Sequence, residues 1–488
     1  MPEPSLPCTA RSSTTIGDPG PSQASFEESP CEHRQDQGMI NTLPDEVLVD
    51  IFHFYVNHSS IRTNEWHTLV HVCQRWRSVV FVSPRRLDLR LEYSGKSPIS
   101  EMQDVWPDLP VVINLARSPW IVSKSYWENL TAALESEHHR ICEIHFPLVP
   151  TSEWERLAAA MQKPFPELTF LRFWVDHNTA ASLPNSFLGG SAPLLRELLL
   201  RNCPLPGIPK LLLSANQLVL LRLWDIPDSG YLSPQDLGTA LSVMSRLESL
   251  YLGFKSRLYP ATRPPPSLPR SVLPNLTFLT FCGVHAYLED LLVQIEAPRL
   301  RYIDIVFFMD LHFVLPELHQ LISQVEWFKA CDRAIVRASH DAIQFSIFRV
   351  TNHFPKLSLE ISCRELVGQL SSLAQVCSSF FPLLSNLVQL EIMDDVSRRT
   401  NDMEITRWLE LLDPFIAVKD LCLSRQVMPH VCQALEEIGE ERVTDVLPAL
   451  QDIFLKVLEP LEFVPKCIER FVAARKLSGH PVAVHRWR

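Results

Sequence analysis

The feature that most constrains this chain is a short apolar pattern that returns at nearly regular intervals. It has the form L-x-x-L-x-L, in which two more apolar residues follow the first at +3 and +5. The clear copies begin at Leu168, Leu195, Leu218, Leu247, Leu276 and Leu300. Their first residues are therefore 27, 23, 29, 29 and 24 positions apart. A single strand and its return segment cannot cover their own apolar sides, so the pattern predicts stacked units that share one continuous core.

This period is that of leucine-rich repeats, in which each unit contributes one strand and one helix or irregular return. Weaker copies of the pattern begin at Ile141, Leu387, Val418 and Leu450. We therefore expect an α/β fold in which residues 136–460 form an irregular leucine-rich-repeat solenoid, shaped as a horseshoe. Residues 93–135 are expected to connect and cap the solenoid, and residues 461–488 to form a solvated C-terminal tail.

Between residues 311 and 386 the repeat period is blurred. The register of the strands stays open in this part of the sequence. One helix is nevertheless predicted there, over about 364–380.

Alternation along each predicted strand sends every second residue to the concave face of the sheet. Aromatic and arginine side chains dominate this outward set: Phe170, Arg172, Trp174, Arg222, Trp224, Tyr251, Phe278 and Tyr302. Such a composition is typical of the centre of a protein interface, so we hypothesise that these residues bind a protein target. The alternative is that return segments or the C-terminal part fold over these rings.

A short helical segment precedes the repeats. Leu43-Pro44-Asp45-Glu46 suits the first turn of a helix, because proline is preorganised there and the two acids favour the positive end of the helix dipole. An apolar stripe follows over residues 47–55, and a second stripe runs from Trp66 to Val80 before Ser83-Pro84 ends it. The polar residues 1–38 are expected to be a disordered leader.

The combination Leu43-Pro44-x-Glu46-x-Leu48-x-x-Ile51-Phe52 with Leu69-x-x-Val72-Cys73-x-x-Trp76-Arg77-x-Val79-Val80 resembles an F-box of the type common in fungi. The resemblance implies that residues 39–92 bind the Skp-type adaptor of a cullin-RING ubiquitin ligase. The implied adaptor contacts are Leu43, Pro44, Leu48, Ile51, Phe52, Val72 and Trp76. The loop over residues 57–65 is longer than a compact F-box needs, which predicts that the second helix is displaced or split. The alternative is an ordinary helical cap on which nothing docks.

Composition and missing motifs exclude several functions. The net charge of −11 argues against a nucleic-acid partner, and neither a phosphate-binding glycine motif nor a hydrolase or zinc-protease motif occurs. His138-His139-x-x-Cys142 is at most half of a metal site. We expect no catalytic residue, cofactor, metal or membrane contact, and scattered cysteines without a secretory signal predict a cytoplasmic or nuclear protein.

The sequence therefore favours a substrate-recognition subunit of an SCF-type ubiquitin ligase that is not itself an enzyme. Its partners would be the Skp-type adaptor and a protein substrate of unknown identity. Two alternatives stay open: a leucine-rich-repeat scaffold without a ligase role, and a hydrolase within residues 311–386.

Overall fold

The structure of the chain is a computed structural model. It describes residues 42–58, 66–84, 87–103, 109–115, 123–176, 182–204, 208–256, 270–308, 315–339, 341–349, 356–362, 366–380, 384–394, 405–438, 443–456 and 466–486. The predicted disordered leader, residues 1–38, lies outside these ranges, and so does most of the loop predicted over 57–65.

The strands are short, as the repeat pattern predicts. They are β1 Leu91–Tyr93, β2 Val111–Asn114, β3 Ile141–Val149, β4 Phe170–Val175, β5 Glu197–Arg201, β6 Leu220–Ile226, β7 Ser249–Phe254, β8 Ser271–Val272, β9 Phe278–Gly283, β10 Ile295–Glu296, β11 Tyr302–Phe308, β12 Arg333–Ala338, β13 Ala342–Phe348, β14 Leu357–Ser362, β15 Gln389–Asp394, β16 Asp420–Leu423, β17 Asp452–Leu455 and β18 Ala483–Arg486. In the described ranges, 16 of these strands form one sheet, and β8 and β10 pair separately.

Helices lie between most of the strands, and successive helices pack side by side. They are α1 Asp45–His58, α2 Trp66–Val70, α3 Gln74–Val82, α4 Ser100–Gln103, α5 Lys124–Ser136, α6 Thr151–Ala160, α7 Ile208–Ser214, α8 Pro234–Leu241, α9 His285–Leu292, α10 Pro316–Gln324, α11 Glu326–Lys329, α12 Leu366–Ser379, α13 Ile405–Leu412, α14 Met428–Glu436 and α15 Lys466–Leu477.

The apolar positions of the repeat pattern form the core. The first, fourth and sixth residues of every predicted copy, weak ones included, are buried against the helices. Strands β1 to β7, then β9 and β11, follow one another in parallel. The fold is therefore α/β, a helical N-terminal segment followed by an irregular leucine-rich-repeat-like solenoid, as the sequence predicts.

An inserted hairpin explains the blurred period after residue 311. The sheet order there is β11-β14-β13-β12-β15, and β13 runs antiparallel to both of its neighbours. The chain passes beyond β11, turns back through β13, and places β14 in parallel beside β11. Helix α12, predicted over about 364–380 and observed at Leu366–Ser379, then covers β13 and β14. One repeat is thus interrupted by an extra pair of strands.

Both predicted ends of the solenoid need correction. The sheet already begins with β1, which lies across the predicted boundary at residue 92, and continues with β2 inside the segment predicted to be only a connection and cap. Residues 461–488 are not a solvated tail, because α15 buries Ile468 and Phe471 and β18 pairs with β17. Arg475 is fully buried there and donates hydrogen bonds to the carbonyl oxygens of Val443, Leu447, Pro448 and Leu450, at 3.3–3.4 Å. Its charge made this helix look exposed in the sequence.

The predicted second N-terminal helix is split, as its long preceding loop predicts. Helix α2 ends at Val70 and α3 begins at Gln74, with the Cys73 side chain capping α3. The indole Nε1 of Trp66 donates a hydrogen bond to the carbonyl oxygen of Arg90, 3.0 Å away, just before β1. The N-terminal helices therefore join the edge of the sheet, and their buried residues continue its core.

Candidate protein-interaction surfaces

The face of the sheet opposite the helices carries the predicted aromatic and arginine residues. We call it the open face. Parallel register places Arg172, Leu199, Arg222, Tyr251, Thr280 and Asp304 in one row across β4 to β11. In a parallel sheet, neighbouring strands lie about 5 Å apart, so residues in register on adjacent repeats lie side by side. The row thus gathers residues that lie far apart in the sequence.

A groove of about 900 Å³ lies on this face. Its described lining residues are Trp174, Leu200, Arg201, Arg222, Trp224, Tyr251, Thr277, Phe278, Thr280, Arg301, Tyr302, Asp304 and Lys356. The rings of Phe278 and Tyr302 on adjacent strands lie 5.6 Å apart. The groove therefore presents aromatic surface from five strands and has room for a short peptide segment.

Gly253 lets the Trp224 ring lie close to the sheet. A Cβ atom at position 253 would come within 2.8–3.1 Å of the indole carbons. Since contacts this short do not occur, any larger residue at position 253 would push the ring away. The glycine fixes the depth of this part of the groove.

Arginine side chains stack on the aromatic rings. The guanidinium carbon of Arg172 lies 4.1 Å from the ring centre of Trp174, and that of Arg222 lies 4.1 Å from the ring centre of Tyr251. Cation–π contacts of this length contribute about 0.5–1 kcal/mol at exposed sites and more where water is excluded. They hold each guanidinium group over its ring on the open face.

Acidic groups in the groove are few. Arg201 is paired with Asp225, with 2.7 Å between Nε and Oδ2. Burial raises the pKa of Asp304, and a hydrogen bond with Ser358 opposes that shift. Burial, together with the positive charge of Arg222, lowers the pKa of Arg172. The positive charge of Arg222 therefore acts on Arg172 from two strands away.

The structure brings six of the eight predicted target-binding residues into this groove: Trp174, Arg222, Trp224, Tyr251, Phe278 and Tyr302. Arg172 lies beside it, stacked on Trp174. Phe170 lies away from the groove and stacks on His145, with 4.2 Å between ring centres. Sequence reasoning did not single out Arg301 and Lys356, which precede their strands and so fall outside the alternating pattern.

A second candidate surface lies on α1. Val47, Ile51, Phe54 and Tyr55 share one side of this helix and are 40–61% exposed. Leu48, Val49 and Phe52 on the neighbouring side are at most 3% exposed. We call the four exposed residues the α1 ledge. Helix α1 therefore carries more apolar surface than the core of this chain uses.

The structure corrects two of the implied adaptor contacts. Leu48 and Phe52 are buried, and the Phe52 ring packs on Trp76 with 4.7 Å between ring centres. Because both side chains are buried in the core of the chain, they offer no accessible surface to an adaptor. Among the other implied contacts, Pro44, Ile51 and Val72 are exposed, and Leu43 and Trp76 are half-buried.

Sequence reasoning overlooked Phe54, which follows Val47 by seven positions. At 100° per residue, the apolar residues of α1 span roughly 220° of the helix. An arc of that width is more than one buried face needs, and it was the available signal for two separate apolar faces.

The opening turn of α1 is tied to α3 by Arg75. Its guanidinium donates to the Leu43 carbonyl oxygen and forms an ion pair with Asp45, 2.6 Å from Nη2 to Oδ1. This arrangement fixes the exposed Pro44 at the surface beside the α1 ledge.

The other sequence constellations have ordinary surroundings. His138 Nδ1 lies 2.9 Å from the carbonyl oxygen of Pro164, and burial raises the pKa of Cys142 to about 12. Among the described residues no three His, Cys, Asp or Glu side chains gather as a metal site would require. In the same ranges no helix is both long and apolar enough to cross a bilayer.

Comparison with known families agrees with the N-terminal helices. Residues 40–87 match the F-box-like family. This F-box-like segment comprises α1, α2 and α3 and ends before β1, within the predicted limits of 39–92. No curated protein sequence matches the chain.

Among solved structures the chain is similar to the crystal structure of the leucine-rich repeat-containing protein LegL7 from Legionella pneumophila. The two share 14% sequence identity over 72% of this chain and 94% of that chain, with a TM-score of 0.25. The repeat architecture of this chain rests on its own strand register, and the F-box-like segment stands at the front of that sheet.

Proposed function

We propose that the chain is a substrate-recognition subunit of an SCF-type, cullin-RING ubiquitin ligase. The α1 ledge and Pro44 of the F-box-like segment would bind a Skp-type adaptor, and the groove on the open face would bind a protein target. The chain would work in the cytoplasm or the nucleus.

The observation that carries the proposal is the α1 ledge. Phe54 is 61% exposed and Ile51 44% exposed on a helix whose other side is already sealed. Contiguous exposed apolar side chains are typical of protein-interaction sites. Their position on an F-box-like segment indicates which partner would cover them.

On this proposal the chain contributes binding and not chemistry. Holding a target near a ubiquitin-charged enzyme raises the effective concentration of the target lysines, which replaces a diffusional encounter by a local one. F-box and leucine-rich-repeat segments are generally interaction modules without catalytic activity, in agreement with this mechanism.

The test is co-purification of the full chain with a Skp-type adaptor. Replacing exposed apolar residues by an acid should abolish capture, so we expect Ile51→Glu and Phe54→Glu to lose at least tenfold in adaptor affinity. Leu213→Glu is the matched control, because Leu213 on α7 is 46% exposed and far along the chain from the ledge. Replacing Leu43 and Pro44 by Ala tests the opening turn.

Undiminished adaptor capture by both ledge variants would contradict this docking surface. If the folded wild-type chain captures no adaptor at all, the ligase role fails. The leucine-rich-repeat scaffold without a ligase role is then the remaining interpretation.

A further inference from the structure

The sign of the charge in the groove is opposite to that of the chain. The whole sequence has a net charge of −11, yet the described groove lining contains Arg201, Arg222, Arg301 and Lys356 against Asp304. Arg201 is already neutralised by Asp225. The remaining cations leave a local excess of positive charge that favours an acidic ligand.

Arg222 lies at the centre of this excess. Its guanidinium rests on the Tyr251 ring, and its Nε is buried without a hydrogen-bond partner. Arg172, two strands away on the same row, has the same arrangement on Trp174, and its Nε is also buried and unpartnered. A buried donor without an acceptor costs free energy, so hydrogen bonds of Nε within the described residues do not explain why these two guanidinium groups lie here.

The stacking leaves the donors of Arg222 usable. A cation–π contact occupies no hydrogen-bond donor, and the two terminal nitrogens of Arg222 are not among the buried unpartnered atoms. They can donate to a carboxylate, which accepts two parallel hydrogen bonds from an arginine.

A carboxylate suits this site better than a phosphate. Asp304 lies in the same groove, and burial together with the negative charge of Asp304 raises the pKa of Glu360 on the neighbouring strand. A phosphate monoester carries about −1.5 to −2 charges at neutral pH and would be repelled by these acids more strongly than a side-chain carboxylate.

We propose that Arg222, with Arg172 beside it, binds the side-chain carboxylate of an Asp or Glu in the protein target, and that the neighbouring rings bind an apolar residue next to it. Trp224, Phe278 and Tyr302 supply those rings. This inference rests on the proposed function of the groove as the target site, and it specifies the chemistry of the target segment.

The test uses the purified full chain on an array of immobilised heptapeptides with varied flanking residues. Each peptide is synthesised in versions that differ only at the central residue, which is Glu, Gln, Lys or phosphoserine. We expect the Glu versions of bound peptides to bind about tenfold more tightly than the Gln versions, the ratio typical of a charge-assisted pair.

Three variants assign the preference to Arg222. Arg222→Gln should abolish the difference between Glu and Gln peptides, and Arg222→Glu should reverse the preference in favour of Lys. Arg246→Gln, which removes an exposed charge on the turn before β7, should leave the preference intact. Thermal denaturation of each variant verifies that it is folded.

Equal binding of Glu and Gln peptides by the wild-type chain would overturn the inference while leaving the groove as a binding site. Tighter binding of phosphoserine than of Glu would overturn the choice of carboxylate. If no peptide binds although the adaptor still co-purifies, the groove is not the target site, and this inference fails without affecting adaptor docking.

Discussion

The two ends of the sheet are closed in different ways. At the C-terminal end, α15 buries Ile468 and Phe471 and turns mainly charged side chains to solvent, with Lys466, Glu469 and Lys476 exposed. At the N-terminal end, α1 buries three apolar residues, Leu48, Val49 and Phe52, but leaves the α1 ledge exposed. Solenoids need terminal units with a polar outer face. The C-terminal end meets this requirement and the α1 ledge at the N-terminal end does not, a difference that the proposed adaptor docking would explain.

The sharpest test of this contrast uses adjacent residues of α1. Phe52→Ala empties a buried site and should lower the free energy of unfolding by about 3–5 kcal/mol. Ile51→Ala removes a side chain that the isolated chain leaves exposed, so the loss should stay below about 1 kcal/mol. Urea denaturation measures both values. Similar losses for the two variants would show that the ledge belongs to the core.

At the opposite end, Arg475 provides the corresponding test. Arg475→Ala leaves four carbonyl oxygens without their donor, and we expect a loss on the order of 3 kcal/mol, since unpaired buried polar groups are costly. Hydrogen exchange should accelerate in β17 and β18. Lys476→Ala, on the exposed side of the same helix, is the control and should have little effect. An unchanged exchange pattern in Arg475→Ala would mean that α15 does not depend on this residue.

An interior repeat supplies a reference between the two ends. Glu289 on α9 accepts hydrogen bonds from the backbone N–H groups of Glu317 and Leu318, at 2.8 and 3.1 Å, and burial raises its pKa to about 6. The folded chain therefore holds this proton more tightly than the unfolded chain, whose glutamate has its ordinary pKa near 4.5. Stability from this group is fully present below pH 4.5 and is lost as the pH rises through 6. The loss is on the order of 2 kcal/mol.

Glu289→Gln should remove this pH dependence. The difference in unfolding free energy between the variant and the wild-type chain should shift in favour of the variant by that amount between pH 4.5 and pH 7. A difference that stays constant over this range would contradict the assignment. Because Glu289 is internal to the solenoid, adaptor binding should not alter the result, unlike results at the α1 ledge.

The smallest effect on stability is expected in the groove. Trp224→Ala should change the free energy of unfolding by less than about 1 kcal/mol, because the ring is only half-buried. Peptide binding on the array should fall strongly. Gly253→Ala should weaken binding in the same direction by displacing the ring. A large loss of stability in Trp224→Ala would mean that this surface, unlike the α1 ledge, serves the fold.

The repeats were predictable because their signal is local. Three apolar positions within six residues determine which side of each strand is buried, and alternation then places Trp174 and Tyr251 on the open face. What the sequence could not give is the order of strands around the hairpin. Strand β13 contains the same residue types as β12 and β14, which run parallel to the rest of the sheet, so its opposite direction depends on long-range pairing.

The remaining errors come from burial that composition does not report. Leu48 and Ile51 are both apolar, and only the packing of α3 decides which of them faces the core. Arg475 looks like a solvated residue until the carbonyl groups that surround it are known. The F-box-like segment itself was recognisable because Leu43-Pro44 and Val72-Cys73 with Trp76 occur at a fixed spacing.

The sheet that connects the N-terminal helices to the groove also fixes the distance between them. Six strand spacings separate β1 from β7, a span of about 29 Å at about 4.8 Å each. Because every intervening strand is hydrogen-bonded to the next, this length cannot stretch without breaking a backbone ladder. On the proposed function, the number of strands in between would determine which lysines of a bound target come within reach, and inserting one repeat would move the target by one strand spacing.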